Sequence, residues 1–339
     1  MTPTKDNNVV INEQTEFTEL VAAADAGDAD ALCELAWRYR AGRGGAPRDP
    51  RKAFQLFERA AKSLNPTALN NLGLCYSDGI GVKSDAREAA KYYRKAAELG
   101  DASAQNNFGW AYLNGLGVKS SPTSAIRWFR KAAERDLASA QNNLAYCYQN
   151  GIGVKRDPAE ANRWYERAAE NGLTEALVNL AWNCQLGQGT SVDYPRAVEL
   201  LRRAVEEGLP SAMHNLAYLF RSGLGVERNF ERAFELYRAA VDAGFVESLC
   251  PLANCYEMGE GVVENLYRAK ELYDRAARLG VAGAEANARR LAIASERRFD
   301  SFVAKDARDR HETLSPLAVS GPLDSKVGTP DGSPKKGDE

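Results

Sequence analysis

The sequence predicts an all-α protein, a right-handed superhelical solenoid of about seven 36-residue helix-turn-helix repeats with capping helices. Three observations predict it. A small residue returns every 36 positions, as Ala68, Ala104, Ala140, Ala176, Ala212, Ser248 and Ala284. Two glycines keep the same interval: Gly79, Gly115, Gly151, Gly187, Gly223 and Gly259, each followed two residues later by a second. Within each unit the apolar residues recur with the helical period rather than in alternation. A fixed period of this length marks an array of stacked units, because one helical pair with a single apolar stripe per helix buries too little surface to stand alone.

The elements follow in chain order. Residues 1–11 are polar and aperiodic, and are expected to be disordered. Residues 12–28 look like a second helix without its first, with Ala23 and Ala24 in the phase of Ala96 and Ala97, and are assigned as an N-terminal capping helix. Seven repeats fill 29–281; the first, running through Ala31, Gly42, Gly44 and Asp49, has one extra loop residue. The fourth shows the pattern most clearly. Ala140, Leu144, Cys147 and Tyr148 form one stripe. Gly151 suits the left-handed conformation that ends a helix, and Gly153 lets the chain turn back. Asp157 then caps the second helix and Pro158 occupies its first position. The cap column reads Asp49, Asp85, Ser121, Asp157, Asp193, Asn229 and Asn265, all good capping residues. Ala161, Trp164, Tyr165 and Ala168 give the second stripe, ended by Gly172.

Residues 282–311 begin like another first helix, through Ala284, Ala288 and Leu291, but no glycine pair follows. Arg289, Arg290, Arg297 and Arg298 are expected to face water, as on a C-terminal cap. Residues 312–339 are rich in Ser, Pro and Gly and are expected to be disordered. Ser315, Thr329 and Ser333 each precede a proline there and are candidate phosphorylation sites.

The phrase Ala-x-x-x-Leu-Gly/Ala-x-x-Tyr-x-x-Gly-x-Gly-Val, then Asp, Ala, an aromatic and Ala-Ala, resembles the Sel-one-like repeat. That family of helical solenoids is related to tetratricopeptide repeats. The resemblance covers 31–281 and is closest at Ala68–Gly100, Ala104–Ala133 and Ala140–Gly172. Thr190 for the loop Val, Cys184 for Tyr, Pro251 for Asn and Asp136 for the final Gly depart from it, and put local helix geometry in repeats five and seven in question. The resemblance implies a non-catalytic adaptor that assembles other proteins. Branches of the family work in membrane-protein degradation, cell-wall polymer synthesis and bacterial signalling; the sequence matches no branch in particular.

Charge and composition narrow the partners. With 44 basic and 46 acidic residues the net charge is −2, so no overall positive field draws nucleic acid or anionic lipid. No apolar run approaches membrane-spanning length and the first residues lack a secretory pattern, so a cytoplasmic protein is expected, with a nuclear location left open. The six cysteines all fall on first helices, which favours buried thiols over disulfides. Two histidines and no metal-ligand spacing leave no expected metal or cofactor. The glycine loops lack the Gly-Lys-Ser/Thr ending of a phosphate loop, and no nucleophile motif is present, so no catalytic residue is assigned.

The candidate site is a ladder along the first helices. One column holds Trp37, Leu74, Trp110, Tyr146, Trp182, Tyr218 and Asn254; three residues earlier runs Glu34, Asn71, Asn107, Asn143, Asn179, Asn215 and Pro251. Both share a helix face away from the core stripe. Asn is a mediocre helix former, so its recurrence needs a reason. On one reading Asn and the rings line a concave groove that grips an extended segment of a partner protein, through Trp37, Asn71, Asn107, Trp110, Asn143, Tyr146, Asn179, Trp182, Asn215 and Tyr218. On the other, the rings pack between adjacent first helices and Asn ties repeats together. At the level of function, a scaffold holding a partner segment stands beside a regulatory subunit that activates a larger enzyme complex.

Overall fold

The computed structural model describes residues 16–293, and every regular element among them is helical. Helix α1 spans 16–25. Each repeat then supplies two helices: α2 Ala29–Ala41 and α3 Pro50–Ala61, α4 Pro66–Asp78 and α5 Ala86–Glu98, α6 Ala102–Asn114 and α7 Pro122–Ala133, α8 Ala138–Asn150 and α9 Pro158–Glu170. The series continues with α10 Thr174–Leu186 and α11 Tyr194–Glu206, α12 Pro210–Ser222 and α13 Phe230–Asp242, α14 Leu249–Met258 and α15 Leu266–Arg278. Helix α16 covers 284–293. Each helix packs on the next in chain order, so the molecule is a solenoid of antiparallel pairs. The segments expected to be disordered, the three candidate phosphorylation sites, Arg297 and Arg298 lie outside the described residues.

Local chemistry explains the boundaries. All seven residues of the cap column accept a backbone N–H from the first turn of their helix, as Asp157 does from Glu160 at 3.0 Å. First helices end on glycine in the left-handed conformation; Gly151, at φ 70°, returns its N–H to the Cys147 carbonyl. Second helices end on a residue with positive φ as well. Two of these positions are not glycine: Leu64 and Asp136 adopt φ of 57° and 60°.

The second loop glycine does more than turn the chain. A Cβ on Gly153 would lie 2.5 Å from the Pro122 carbonyl carbon, and one on Gly117 only 1.9 Å from the Ala86 carbonyl oxygen. In both cases the loop of one repeat rests on the first turn of the preceding repeat's second helix. These glycines therefore set the stacking distance between repeats. The first repeat shifts this role by one residue. The sequence pattern assigns it to Gly44, but Gly45 is the residue that meets α1, with a Cβ position 3.1 Å from the Phe17 ring; Gly44 faces the Arg38 side chain. The first repeat carries one extra loop residue, and the contact falls one position later.

The core runs the length of the array between the two helix layers. The 36-residue alanine column is fully buried, which lets helices approach closely, and large side chains from second helices fill the space beside it: Phe57, Phe129, Tyr165, Leu201, Tyr237 and Tyr273. The departures have unequal effects. Repeat five keeps a regular 13-residue first helix, capped by Gly187. In repeat seven the helix begins as a 3₁₀ turn, Val246–Ser248, and α14 has only ten residues. Pro251 is the physical reason, since it has no N–H to donate to the carbonyl four residues back. At the C-terminal end Arg289 and Arg290 are exposed as expected, and Arg290 pairs with both Glu257 carboxylate oxygens at 2.6 and 2.8 Å.

Candidate protein-binding face

The first helices α4, α6, α8, α10 and α12 lie side by side and present the ladder on one face. Its two columns behave differently. Trp110, Tyr146, Trp182 and Tyr218 are 49%, 51%, 50% and 49% exposed, one ring per repeat. Trp37 is drawn inward: its ring meets Phe57 edge-on at 6.2 Å and carries the Arg40 guanidinium over its face at 4.9 Å. Asn71 is only 2% exposed, so it lies beneath the surface rather than lining it.

The other asparagines link repeats. Asn107 donates to Asn70 Oδ1 at 3.0 Å, Asn143 to Asn106 Oδ1 at 2.9 Å, and Asn179 to Asn142 Oδ1 at 3.0 Å. The pattern breaks where the preceding repeat offers no acceptor. Asn215 faces a repeat with Val178 in that place and turns back to the Ser211 carbonyl at 2.9 Å; Asn71, after Cys33, turns back to Thr67. In repeat six His214 takes the column and meets Ser248 Oγ at 2.8 Å. Sequence reading separated rings and asparagines by position but not by task, because the acceptors lie 37 residues away on another helix. In repeat seven Asn254 replaces the ring and accepts from Arg221, which also pairs with Glu260 at 2.6 Å.

Between α4 and α6 the face opens into a cavity of about 270 Å³ walled by Trp110, Asn107, Leu74, Tyr93 and Leu116. On the opposite side, successive second helices leave wide clefts. One lies between α11 and α13, floored by Phe220 and edged by Arg202 and Arg232; another lies between α13 and α15, floored by Tyr256 and edged by Arg238 and Arg275.

Among the described residues no cluster of His, Cys, Asp and Glu could hold a metal ion. All six cysteines are free thiols, five of them buried and Cys250 half-buried. Burial pushes Cys33, Cys75, Cys147 and Cys255 up to about 11, which makes them poor nucleophiles at neutral pH. No described helix is long and apolar enough to cross a membrane.

The Sel1 repeat family model matches seven successive segments, 29–63, 66–101, 102–137, 138–173, 174–209, 210–245 and 246–281. The chain belongs to the Sel1 repeat family. Among solved structures it is similar to a Sel1 repeat protein from Oxalobacter formigenes, 29% identical over 72% of this chain and 96% of that one, with a TM-score of 0.65. It is also similar to c5321, described as a protective antigen present in uropathogenic Escherichia coli strains, at 31% identity over 80% and 66% of the two chains and a TM-score of 0.48. Yeast Tom70 shares the fold at 17% identity, covering 91% of this chain and 64% of its own, with a TM-score of 0.52. No curated protein matches the chain. Sel1 repeat solenoids generally serve as protein-interaction scaffolds rather than catalysts.

Proposed function

We propose that this chain is a non-catalytic adaptor that holds an extended segment of a partner protein along its first-helix face. One observation carries the reading: Trp110, Tyr146, Trp182 and Tyr218 stay half exposed at equivalent positions on the first helices of four consecutive repeats. Large flat rings held at low entropic cost are effective anchors in protein interfaces. A fold that needed them only for its core would cover them.

The packing supports a concave face. First helices bond directly from repeat to repeat through Asn107, Asn143 and Asn179, while clefts open between α11 and α13 and between α13 and α15. An array curves toward its more tightly linked layer, which supports a ring column on the inner side.

The test is affinity purification with the full chain and with its Trp110→Ala/Trp182→Ala variant. Loss of a bound protein from the variant, with its thermal unfolding little changed, supports the groove. Groove anchors lose about 2 kcal/mol or more of binding. Rings that serve the fold instead lower stability by about 3–5 kcal/mol, the cost of emptying a buried aromatic site such as Phe129, and that result would overturn the reading.

A further inference from the structure

Resting on the groove reading above, we infer that the cavity between α4 and α6 is a specificity pocket for one uncharged aromatic side chain of the partner segment, the size of an indole. Its origin is legible in the repeat columns, where three of its lining residues are the smallest of their kind. Ala90 stands where other repeats carry Phe54, Ile126, Asn162, Val198, Phe234 and Lys270, and Ala86 where they carry Pro, Tyr, Phe or Leu. Ser77 replaces Arg40, Leu113, Gln149, Gln185, Arg221 and Glu257. Leu74 holds a place that is a ring in five other repeats. These truncations fall together in repeat two and leave a space of about 270 Å³. Leu116 at its edge is exposed, whereas its equivalents Ile80, Ile152 and Leu224 are partly buried.

The neighbouring repeats cannot close over the gap. Ala86 and Asn107 both border it, and both are already engaged across the repeat boundary. A Cβ on Gly117 would lie 1.9 Å from the Ala86 carbonyl oxygen, and Asn107 donates to Asn70 at 3.0 Å. The Tyr93 wall is fixed as well. Its ring lies against Gly73, where a Cβ would come within 2.5 Å, and its hydroxyl meets the Ser77 side chain. An apolar void whose walls cannot relax is destabilising, and a guest that fills it recovers the lost contacts.

Size and lining select the guest. A cavity of about 150 Å³ takes one benzene ring, so a space of about 270 Å³ accommodates a bicyclic group. No lining residue is charged, and a charged guest would lose its water without gaining a partner. The two ring walls, Tyr93 and Trp110, favour a flat aromatic guest in edge-on or offset contact. The Ser77 and Tyr93 hydroxyls offer acceptors to an indole N–H, a group that only donates. The clefts between second helices, edged by arginines, have a different character.

Fluoroindole titrated into the full chain and followed by fluorine NMR tests the pocket. Saturable binding is expected, displaced by N-acetyltryptophanamide and not by N-acetylleucinamide. Ala90→Ile and Ser77→Gln restore side chains that other repeats carry, and each should weaken binding about 10-fold or more. Because Ala90→Ile fills a void, its melting temperature should stay equal or rise; Ser77→Gln, at an exposed position, gives the same reading should Ala90→Ile disturb the fold. Trp182→Ala, outside the pocket, should leave fluoroindole binding unchanged. No saturable binding, binding indifferent to both filling variants, binding lost on Trp182→Ala, or equal displacement by N-acetylleucinamide overturns the inference. Affinity purification separates the two levels. A captured protein lost from Trp110→Ala/Trp182→Ala but retained by Ala90→Ile and Ser77→Gln removes the pocket and leaves the groove; one retained by every variant removes the groove, and the pocket's place in it.

Discussion

His214 stands alone in its column, where other repeats carry Asn, Val or Cys, and it meets Ser248, itself alone in a column of alanines. The two replacements occur in adjacent repeats and satisfy each other. Tyr237 and Phe245 enclose the imidazole, and burial pulls its pKa below the usual 6.5, with Glu247 opposing weakly. The folded state therefore binds the proton less readily than the unfolded chain. Stability from this residue is intact above the unfolded value and is lost as pH falls from there through the lower folded value. Urea unfolding of wild type and His214→Asn at pH 7.5 and 5.5 should show a steeper loss in the wild type. An equal loss in both would mean the ring is not held neutral. At this scale the sequence revealed which residues were exceptional, but not that two exceptions form one pair.

The helices and loops were legible almost throughout, because caps, glycines and apolar stripes act within a few residues of themselves. The seven cap residues each perform the task that their type and position suggest. The loop glycines show where local reading stops. Gly153 and Gly172 both have positive φ, yet a Cβ on Gly172 meets nothing within 4 Å while one on Gly153 strikes the Pro122 backbone. Gly172→Ala should cost about 1 kcal/mol, from backbone strain alone. Gly153→Ala adds a clash across the repeat boundary and should cost about 2–4 kcal/mol. Chemical denaturation of the two variants makes the comparison; equal losses would mean the loops do not set the stacking distance. The same limit explains why Gly45 meets α1 while Gly44 holds the glycine column, since only the neighbouring helix decides which glycine it touches.

At the scale of the molecule, stability comes from coupling between neighbouring repeats, and one boundary is built differently. Between repeats four and five, Asn183 donates to Asn162 Oδ1 at 2.7 Å and accepts from Gln149 at 2.9 Å, and Gln149 accepts from Tyr165 at 2.9 Å. Other repeats carry Ala, Cys or Leu, and Ala, Ile, Val or Phe, at most of the equivalents of Asn183 and Asn162. A buried network of this kind is costly to break on one side and cheap to replace whole. Asn183→Leu should therefore destabilise by about 1–3 kcal/mol, and adding Asn162→Val should recover part of it. Strict additivity in the double-mutant cycle would show that the two amides are not coupled.

The sequence by itself determined the number of repeats, the two helices of each, their caps and turns, and the alanine column on which they stack. These features depend on short-range backbone chemistry and a period that repetition makes unmistakable. Only the tertiary structure decided which ladder residues remain open. Trp37 folds inward and Asn71 is covered, while Trp110, Tyr146, Trp182 and Tyr218 stay half exposed. Exposure and hydrogen-bond partners belong to the space between repeats, and that space is set by residues some 36 positions away.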